Sequence, residues 1–186
     1  DLKREGKNYA LCRSNYIDCD NTIHIYDPTS GAVMFLNINT NLGTLKSLGI
    51  NPIKTNIPIF TFEDLIKELA NIKRSCPNGV KSIILDTHGS SGSISIEGRI
   101  YAFGACQEVF NEDLKNLKVF APEGKFTLLG CRIAKDSKDK FSQCLSDALN
   151  TNVYSPPCRT LTCPTTGTCS LQGLEGTTMV EFTPAR

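Results

Sequence analysis

The amino-acid sequence predicts one α/β domain, with a largely parallel central sheet, across residues 1–186. Two short apolar runs, residues 83–86 and 126–129, are bounded by turn-forming residues, which is typical of strands buried in a parallel sheet. Segments with helical periodicity lie around them, and strands that alternate with helices form layered α/β domains. We expect the core to span about residues 22–155, with a cysteine-rich tail over about 156–186.

The first half of the chain contains one strong helix signal. Thr61 and Asp64 resemble a capping box, and apolar residues then recur at helical spacing as far as Arg74. The turn residues at 76–79 end this helix. Weaker patterns predict three more elements. They are a hairpin formed by strands at Thr22–Tyr26 and 32–38, a short helix at 41–48 and a brief extended segment at 57–60.

The second half continues the alternation of strands and helices. A loop rich in Gly and Ser, 89–92, follows the strand at 83–86, and two alternating segments after it form a hairpin pattern. Further helices are expected where apolar residues recur on one face. The predicted elements are strands at 94–96, 99–103, 153–155 and 179–182, the last on a sheet edge, and helices at 109–117 and 136–149.

Charge and hydropathy exclude several function classes. The 20 basic and 19 acidic residues give a formal net charge of +1 without a basic run, so we expect no nucleic-acid partner. No segment approaches the roughly 18 consecutive apolar residues of a membrane span. No Cys or His pair has zinc-ligand spacing, and we expect no metal and no cofactor. The chain begins with Asp1 and no apolar leader, so we expect a mature or trimmed form whose targeting signal lies outside it.

The nine cysteines are many for a chain of this size. Both ends of the chain lack the apolar residues that would offset the entropy of ordering them, so we expect disulfides to hold them. The cysteines concerned are Cys12 and Cys19 at the start and Cys158, Cys163 and Cys169 in the tail. Such bonds form in oxidising compartments, which predicts a secreted or cell-surface protein. Reduced structural cysteines in a cytosolic protein are the alternative.

An odd number of cysteines leaves one thiol free if the others pair. Cys131 is the natural free thiol, because it follows a predicted buried strand and not a loop-like segment. Cys144 lies on the apolar face of a predicted helix, where a disulfide and a buried free thiol are equally suitable.

Each of the two buried strands is followed by a residue with catalytic potential. His88 and Gly89 follow the first strand, and Gly130 and Cys131 follow the second. Ligands of open α/β sheets bind beyond the carboxyl ends of the strands. A thiol and an imidazole delivered there can act as nucleophile and acid–base partner. Alone, each has an ordinary structural interpretation, as a buried small residue and a loop residue, but their common setting favours chemistry.

Three further residues are candidates for supporting or rival roles. Asp86 lies two residues before His88, so it shares a strand face with it and is a candidate for orienting the ring. Cys106 is a rival nucleophile, but it follows His88 by 18 residues, which is too few for a crossover helix to a neighbouring parallel strand. A disulfide is the alternative role for Cys106. His24, between Ile23 and Ile25, is expected to be half-exposed and structural.

Two sequence blocks resemble a known group of peptidases. Leu85-Asp86-Thr87-His88-Gly89-Ser90-Ser91-Gly92-Ser93-Ile94 and Leu128-Leu129-Gly130-Cys131-Arg132-Ile133-Ala134 are similar to the His-Gly and Gly-Cys blocks of caspases, legumains, gingipains, clostripain and separase. They resemble still more closely a domain of unknown function in large bacterial surface and adhesin-like proteins. The similarity covers about residues 80–155, and Thr87 stands where that domain usually has Ser.

This resemblance implies a caspase-like three-layer α/β/α fold and a cysteine endopeptidase with a dyad of His88 and Cys131. It also implies an oxyanion hole formed by the backbone of Gly89 and Cys131. The expected partner is a polypeptide substrate, with the protein's own precursor among the candidates. Two alternatives stay open: a non-catalytic, disulfide-stabilised binding or interaction module on the same fold, and another acyl-transfer enzyme such as a transpeptidase.

Overall fold

In the computed structural model, the chain folds around a six-stranded sheet that is mostly parallel. The structure describes residues 2–4, 7–9, 16–29, 52–109, 117–130, 133–135, 139–157 and 179–185. The mixed α/β class and the largely parallel sheet predicted from the sequence are confirmed. Within the described ranges, no helix is long and apolar enough to cross a membrane.

The described elements are numbered here along the chain. The strands are β1 Leu2–Arg4, β2 Lys7–Tyr9, β3 Thr22–Tyr26, β4 Ile53–Pro58, β5 Val80–Asp86, β6 His88–Ser90, β7 Ser93–Ile96, β8 Arg99–Ala102, β9 Phe120–Leu128, β10 Asn152–Ser155 and β11 Val180–Phe182. The helices are α1 Phe62–Ser75, α2 Phe103–Val109 and α3 Lys140–Leu149.

The central sheet has the order β11-β10-β9-β5-β3-β4. All neighbours in it are parallel except β11, which pairs antiparallel with β10 at the sheet edge, as predicted. Ile25 lies opposite Leu85 on β5, and Leu85 lies opposite Leu128 on β9. The carboxyl ends of these three inner strands therefore meet at one level of the same edge. A separate antiparallel sheet, β6-β7-β8, leaves the main sheet directly after β5.

Helix α1 confirms the capping box predicted from the sequence. The Thr61 hydroxyl accepts the backbone N–H of Asp64 at 3.0 Å, and the Asp64 carboxylate accepts the backbone N–H of Thr61 at 3.0 Å. Lys73 and Arg74 lie in the last turn, where they favourably oppose the helix dipole. The helix ends at Cys76, which is its C-cap.

Several predicted boundaries differ from the structure. Strands β4, β5 and β9 begin earlier than predicted, and the predicted loop at 89–92 contains part of strand β6. Both edges of β3 are occupied by β4 and β5, while its predicted hairpin partner, 32–38, lies outside the described residues, as does the helix predicted at 41–48. Helix α2 precedes the helix predicted at 109–117, of which residues 110–116 are not described.

One hydrophobic cluster joins the inner strands to helices α1 and α3. Its fully buried members include Ile23, Ile25, Ile83, Phe126, Phe62, Leu65, Leu69, Ile72, Phe141 and Leu145. Each such side chain contributes about 1.5–3 kcal/mol when it leaves water. This core fixes the strands that end at the candidate site, so the geometry of that edge rests on packing rather than on loops alone.

Two disulfides join described segments. Cys19–Cys76 links the stretch before β3 to the end of α1, and Cys106–Cys144 links α2 to α3. The predicted role of Cys19 in holding the N-terminal segment and the disulfide alternative for Cys106 are confirmed, and Cys144 is paired. Disulfides of this kind are consistent with an extracellular location. The five other cysteines, Cys12, Cys131, Cys158, Cys163 and Cys169, lie outside the described residues.

Removing the Cys106–Cys144 bond is expected to destabilise the fold. The bond closes a loop of 38 residues, and the variant Cys106→Ala/Cys144→Ala should lose about 2–4 kcal/mol of unfolding free energy because its unfolded chain is less restricted. Urea unfolding of both proteins under oxidising conditions measures this difference. An unchanged midpoint and slope would show that the bond contributes nothing to stability.

Candidate functional site

The candidate site lies at the carboxyl edge of the central sheet, between two neighbouring strands. β5 ends at Asp86 and β9 ends at Leu128, and these strands are adjacent and parallel. His88 begins β6 two residues after Asp86, and Gly130 lies two residues after Leu128. The two sequence blocks with catalytic potential therefore follow adjacent strands at one edge, which is where open α/β sheets bind their ligands.

The loops after these strands are in close contact. A Cβ atom placed on Gly130 would lie 3.1 Å from the Cα of Gly89 and 2.6 Å from Cδ1 of Ile133. A hydrogen bond joins the same two loops a little further along, since the N–H of Gly92 donates to the carbonyl of Ile133 at 2.9 Å. Glycine at 130 is thus required for the approach of the two backbones.

Two more segments converge on this contact. The N–H of Ala134 donates to the carbonyl of Pro156, after β10, at 3.0 Å. Asp139 is buried and caps α3, with Oδ1 accepting the N–H of Phe141 at 3.0 Å. A Cβ atom placed on Gly92 would lie 3.5 Å from the same Asp139 oxygen. The start of α3 therefore supports the loop that follows His88, a contact that the sequence did not indicate because it joins residues far apart in the chain.

His88 is exposed, as a residue that acts on a substrate must be. Its backbone is held by pairing with Ser95 on β7. Gly89, next to it, is partly buried and pairs with Ile94. The imidazole is thus presented to solvent from an ordered strand. Cys131 follows Gly130 directly in the sequence and lies outside the described residues.

Cys106 is not available as a nucleophile in the oxidised protein. It is fully buried in α2 and bonded to Cys144. Since the sulfur carries no proton and forms no thiolate while the bond persists, the rival assignment loses its chemical basis.

The predicted half-exposure of His24 is wrong. Its side chain is 0% exposed, because β3 is an inner strand with neighbours on both edges and burial on both faces. The ring binds polar groups on both sides: Nδ1 is 3.2 Å from Asn56 Oδ1, and Nε2 is 3.3 Å from Asp86 Oδ2. Register explains these contacts, since His24 lies opposite Asn56 and Asp86 lies opposite Tyr26, two residues beyond His24.

Asp86, the residue predicted as a candidate for orienting His88, is buried beside the ring of His24. Burial raises the pKa of Asp86, while the hydrogen bond and charge of His24, and more weakly the charge of His88, lower it. Asp27, at the end of β3, raises the pKa further by repulsion. The second oxygen of Asp86, Oδ1, and the hydroxyl of Thr87 are buried without a hydrogen-bond partner in the described part of the chain.

The raised pKa of Asp86 predicts a pH-dependent stability difference. The folded protein holds the Asp86 proton more tightly than the unfolded chain, whose value is 3.8, so this stabilisation is present below that pH and is lost as pH rises through the folded pKa. Asp86→Asn cannot ionise. The free energy of unfolding of wild type should therefore fall relative to Asp86→Asn between about pH 3.5 and pH 8.

Urea unfolding of both proteins at the two pH values measures this change. Asp20→Asn is the matched control: Asp20 is 82% exposed and forms a salt bridge with the exposed Lys81, and exposed ion pairs contribute little to stability, so its difference from wild type should vary little. A difference between wild type and Asp86→Asn that is independent of pH would contradict the prediction.

The described ranges contain no group of three or more His, Cys, Asp or Glu side chains arranged to hold a metal. The arrangement at the edge instead offers an exposed imidazole, closely packed glycine backbones and a buried carboxyl–imidazole pair. Comparison with known proteins gives no match, either among protein-family models or among curated proteins.

Proposed function

We propose that the chain is a cysteine peptidase with a caspase-like three-layer α/β/α fold, in which His88 and Cys131 form the catalytic dyad. The observation that carries the proposal is the close approach of Gly89 to Gly130. Consecutive Cα atoms are about 3.8 Å apart, so a contact between these glycines supports a dyad formed by their direct neighbours. The shared edge of adjacent parallel strands supports the same conclusion.

The proposed reaction uses the groups at this edge in a fixed order. The Cys131 thiolate attacks the carbonyl carbon of the scissile peptide bond, and the backbone N–H groups of Gly89 and Cys131 donate to the oxyanion that forms. The C–N bond then breaks, and the His88 imidazolium gives its proton to the leaving amine. Water attacks the resulting thioester with His88 as base, which releases the carboxylic acid and restores the thiol.

The proposed peptidase acts on polypeptides outside the cytosol, as a secreted or cell-surface protein. Two disulfides within the described ranges support this location, because reducing compartments rarely maintain such bonds. The protein's own precursor is among the candidate substrates.

Selective alkylation tests the dyad without knowledge of the substrate. The native, unreduced protein is treated with iodoacetamide over a range of pH, and the modified cysteine is identified by peptide mapping. We expect labelling at Cys131, with a rate that is half-maximal below about pH 8.5, the usual pKa of a thiol, because a neighbouring imidazole favours the thiolate. His88→Ala should move that midpoint upward.

Two results would contradict the proposal. One is a Cys131 that does not react in the folded protein, and the other is a pH profile that His88→Ala leaves unchanged. Either would favour the non-catalytic binding module on the same fold. Cys131→Ala is the control that shows whether any labelling belongs to other cysteines.

A further inference from the structure

The buried pair of His24 and Asp86 has no part in a two-residue dyad. Both side chains are almost completely buried, at 0% and 1% exposed, and Nε2 lies 3.3 Å from Oδ2. Nδ1 of the ring lies 3.2 Å from Asn56 Oδ1 and Nε2 lies 3.3 Å from Asp86 Oδ2, so each ring nitrogen has an oxygen within hydrogen-bond distance. The carboxyl group of Asp86 is therefore held at one oxygen by a group that can carry positive charge.

Two buried polar atoms next to this pair have no hydrogen-bond partner among the described residues. Asp86 Oδ1 and Thr87 Oγ1 are buried without hydrogen bonds in the described ranges, immediately before His88. Buried polar atoms nearly always have partners, and leaving one unpaired costs about 1–3 kcal/mol. Catalytic hydrogen bonds often tighten only in the complex with substrate. The unpaired oxygen of Asp86 lies two residues from the candidate acid–base residue, so it is suited to a hydrogen bond that forms only in the complex with substrate.

Within the described ranges, three groups act electrostatically on Asp86. His24 comes from β3, Asp27 from the end of β3, and His88 from β6. Asp27 is engaged elsewhere, because its oxygens accept the N–H of Thr29 at 2.9 Å and of Glu97 at 3.0 Å. On the β9 side, the strand end beside Leu85 carries the uncharged Leu128 and Leu129. Among these groups, His24 has the largest lowering effect on the pKa of Asp86, through its hydrogen bond and its charge, and the charge of His88 has a smaller one.

We propose that His24 is a positioning residue for the dyad, acting through Asp86, whose free oxygen accepts the N–H of the His88 imidazolium when the Cys131 thiol ionises. This inference rests on the proposed peptidase function. His24 has two effects in it: it holds the carboxyl group through Oδ2, and its hydrogen bond and charge lower the pKa of Asp86 against the opposing effect of burial. A protonated Asp86 would stabilise the imidazolium far less, so loss of His24 weakens the thiolate–imidazolium pair although His24 touches neither residue.

The test compares the pH dependence of Cys131 alkylation in wild type, His24→Gln, Asp86→Asn and the double variant. Glutamine keeps a hydrogen-bond donor but carries no charge. An opposite charge nearby shifts an ionisation by about 1–3 pH units, so each single variant should raise the alkylation midpoint by about one unit, which is about a tenfold lower rate below the midpoint. The double variant should show no further shift, because His24 acts on His88 only through Asp86 and either change removes that interaction.

A matched control separates this role from a purely structural one. Ser82→Ala removes a buried hydrogen bond, 3.2 Å long, between Thr22 and Ser82 on the same two strands, at the end away from the site. It should lower the melting temperature and leave the alkylation midpoint unchanged. If His24→Gln does not fold, Asn56→Leu replaces it, since losing the acceptor on Nδ1 disfavours the charged ring and should shift the midpoint in the same direction.

The outcomes distinguish the two proposals. If His88→Ala leaves the midpoint of Cys131 unchanged, the dyad is wrong and this inference fails with it. If His88→Ala moves the midpoint while His24→Gln, or Asn56→Leu in its place, does not, the dyad stands and the role of His24 is overturned. Additive shifts in the double variant would also overturn it, because they would show that His24 does not act through Asp86.

Discussion

Replacing Cys131 with alanine is expected to reduce peptide hydrolysis by about 10,000-fold or more, because the covalent route disappears with its nucleophile. The rate is measured on a peptide library by mass spectrometry, with wild type and variant at equal concentration. The variant should keep its melting temperature to within a few degrees, since the substitution removes only one sulfur atom.

The control for this experiment is the variant that lacks the Cys106–Cys144 disulfide. Cys106→Ala/Cys144→Ala removes two cysteines that are bonded to each other and therefore form no thiolate in the oxidised protein. It should retain hydrolysis at temperatures where it remains folded, although its stability is lower. A Cys131→Ala protein that still cleaves peptides would overturn the assignment of the nucleophile.

Gly130→Ala is expected to have the second largest effect. The added methyl group would lie 3.1 Å from the Gly89 backbone and 2.6 Å from Ile133. The Ile133 side chain is fully buried, so it can move only with its core neighbours, and the Gly89 backbone can yield only if the two loops separate. At 3.1 Å, that backbone must yield by a few tenths of an ångström, whereas a displacement of about 1 Å in a catalytic arrangement lowers rates by about 100-fold. We therefore expect a loss of about tenfold in the hydrolysis rate and a destabilisation of about 1–3 kcal/mol from overpacking.

Gly104→Ala is the matched control for this change. Gly104 lies in α2, and nothing would come within 4 Å of an added Cβ. Alanine there should leave hydrolysis unchanged and stabilise the helix by about 0.5–1 kcal/mol. Equal rates for Gly130→Ala and wild type would show that the contact between the two loops does not matter for catalysis.

Local patterns predicted the elements with strong signals of their own. The capping box of Thr61 and Asp64 marked the start of α1, and the apolar runs before His88 and Gly130 marked the ends of two inner strands. These signals depend on nearby residues and on the general burial of parallel strands, so the elements they predict do not change with the pairing of distant segments. The carboxyl-edge position of both blocks followed from them.

Features that depend on pairing between distant segments were not predictable. His24 alternates with isoleucines as on a half-exposed strand, but β3 became an inner strand, so its polar side chain needed Asn56 and Asp86 as partners. Helix α2 contains Gly104, which disfavours a helix, and it is bonded through Cys106 to α3. The approach of Gly89 to Gly130 depends on the register of β5 against β9, which composition does not encode.

The Cys106–Cys144 bond also determines the outcome of a break in the chain. A single cut within residues 107–130 would leave His88 on one piece and Cys131 on the other, yet the disulfide spans that stretch and would keep the pieces as one molecule. In denaturing electrophoresis, such a nicked protein would migrate as one band without reductant and as two bands with reductant. Self-processing in this stretch would therefore yield a two-chain form that does not dissociate on dilution, and whose halves separate only in a reducing environment.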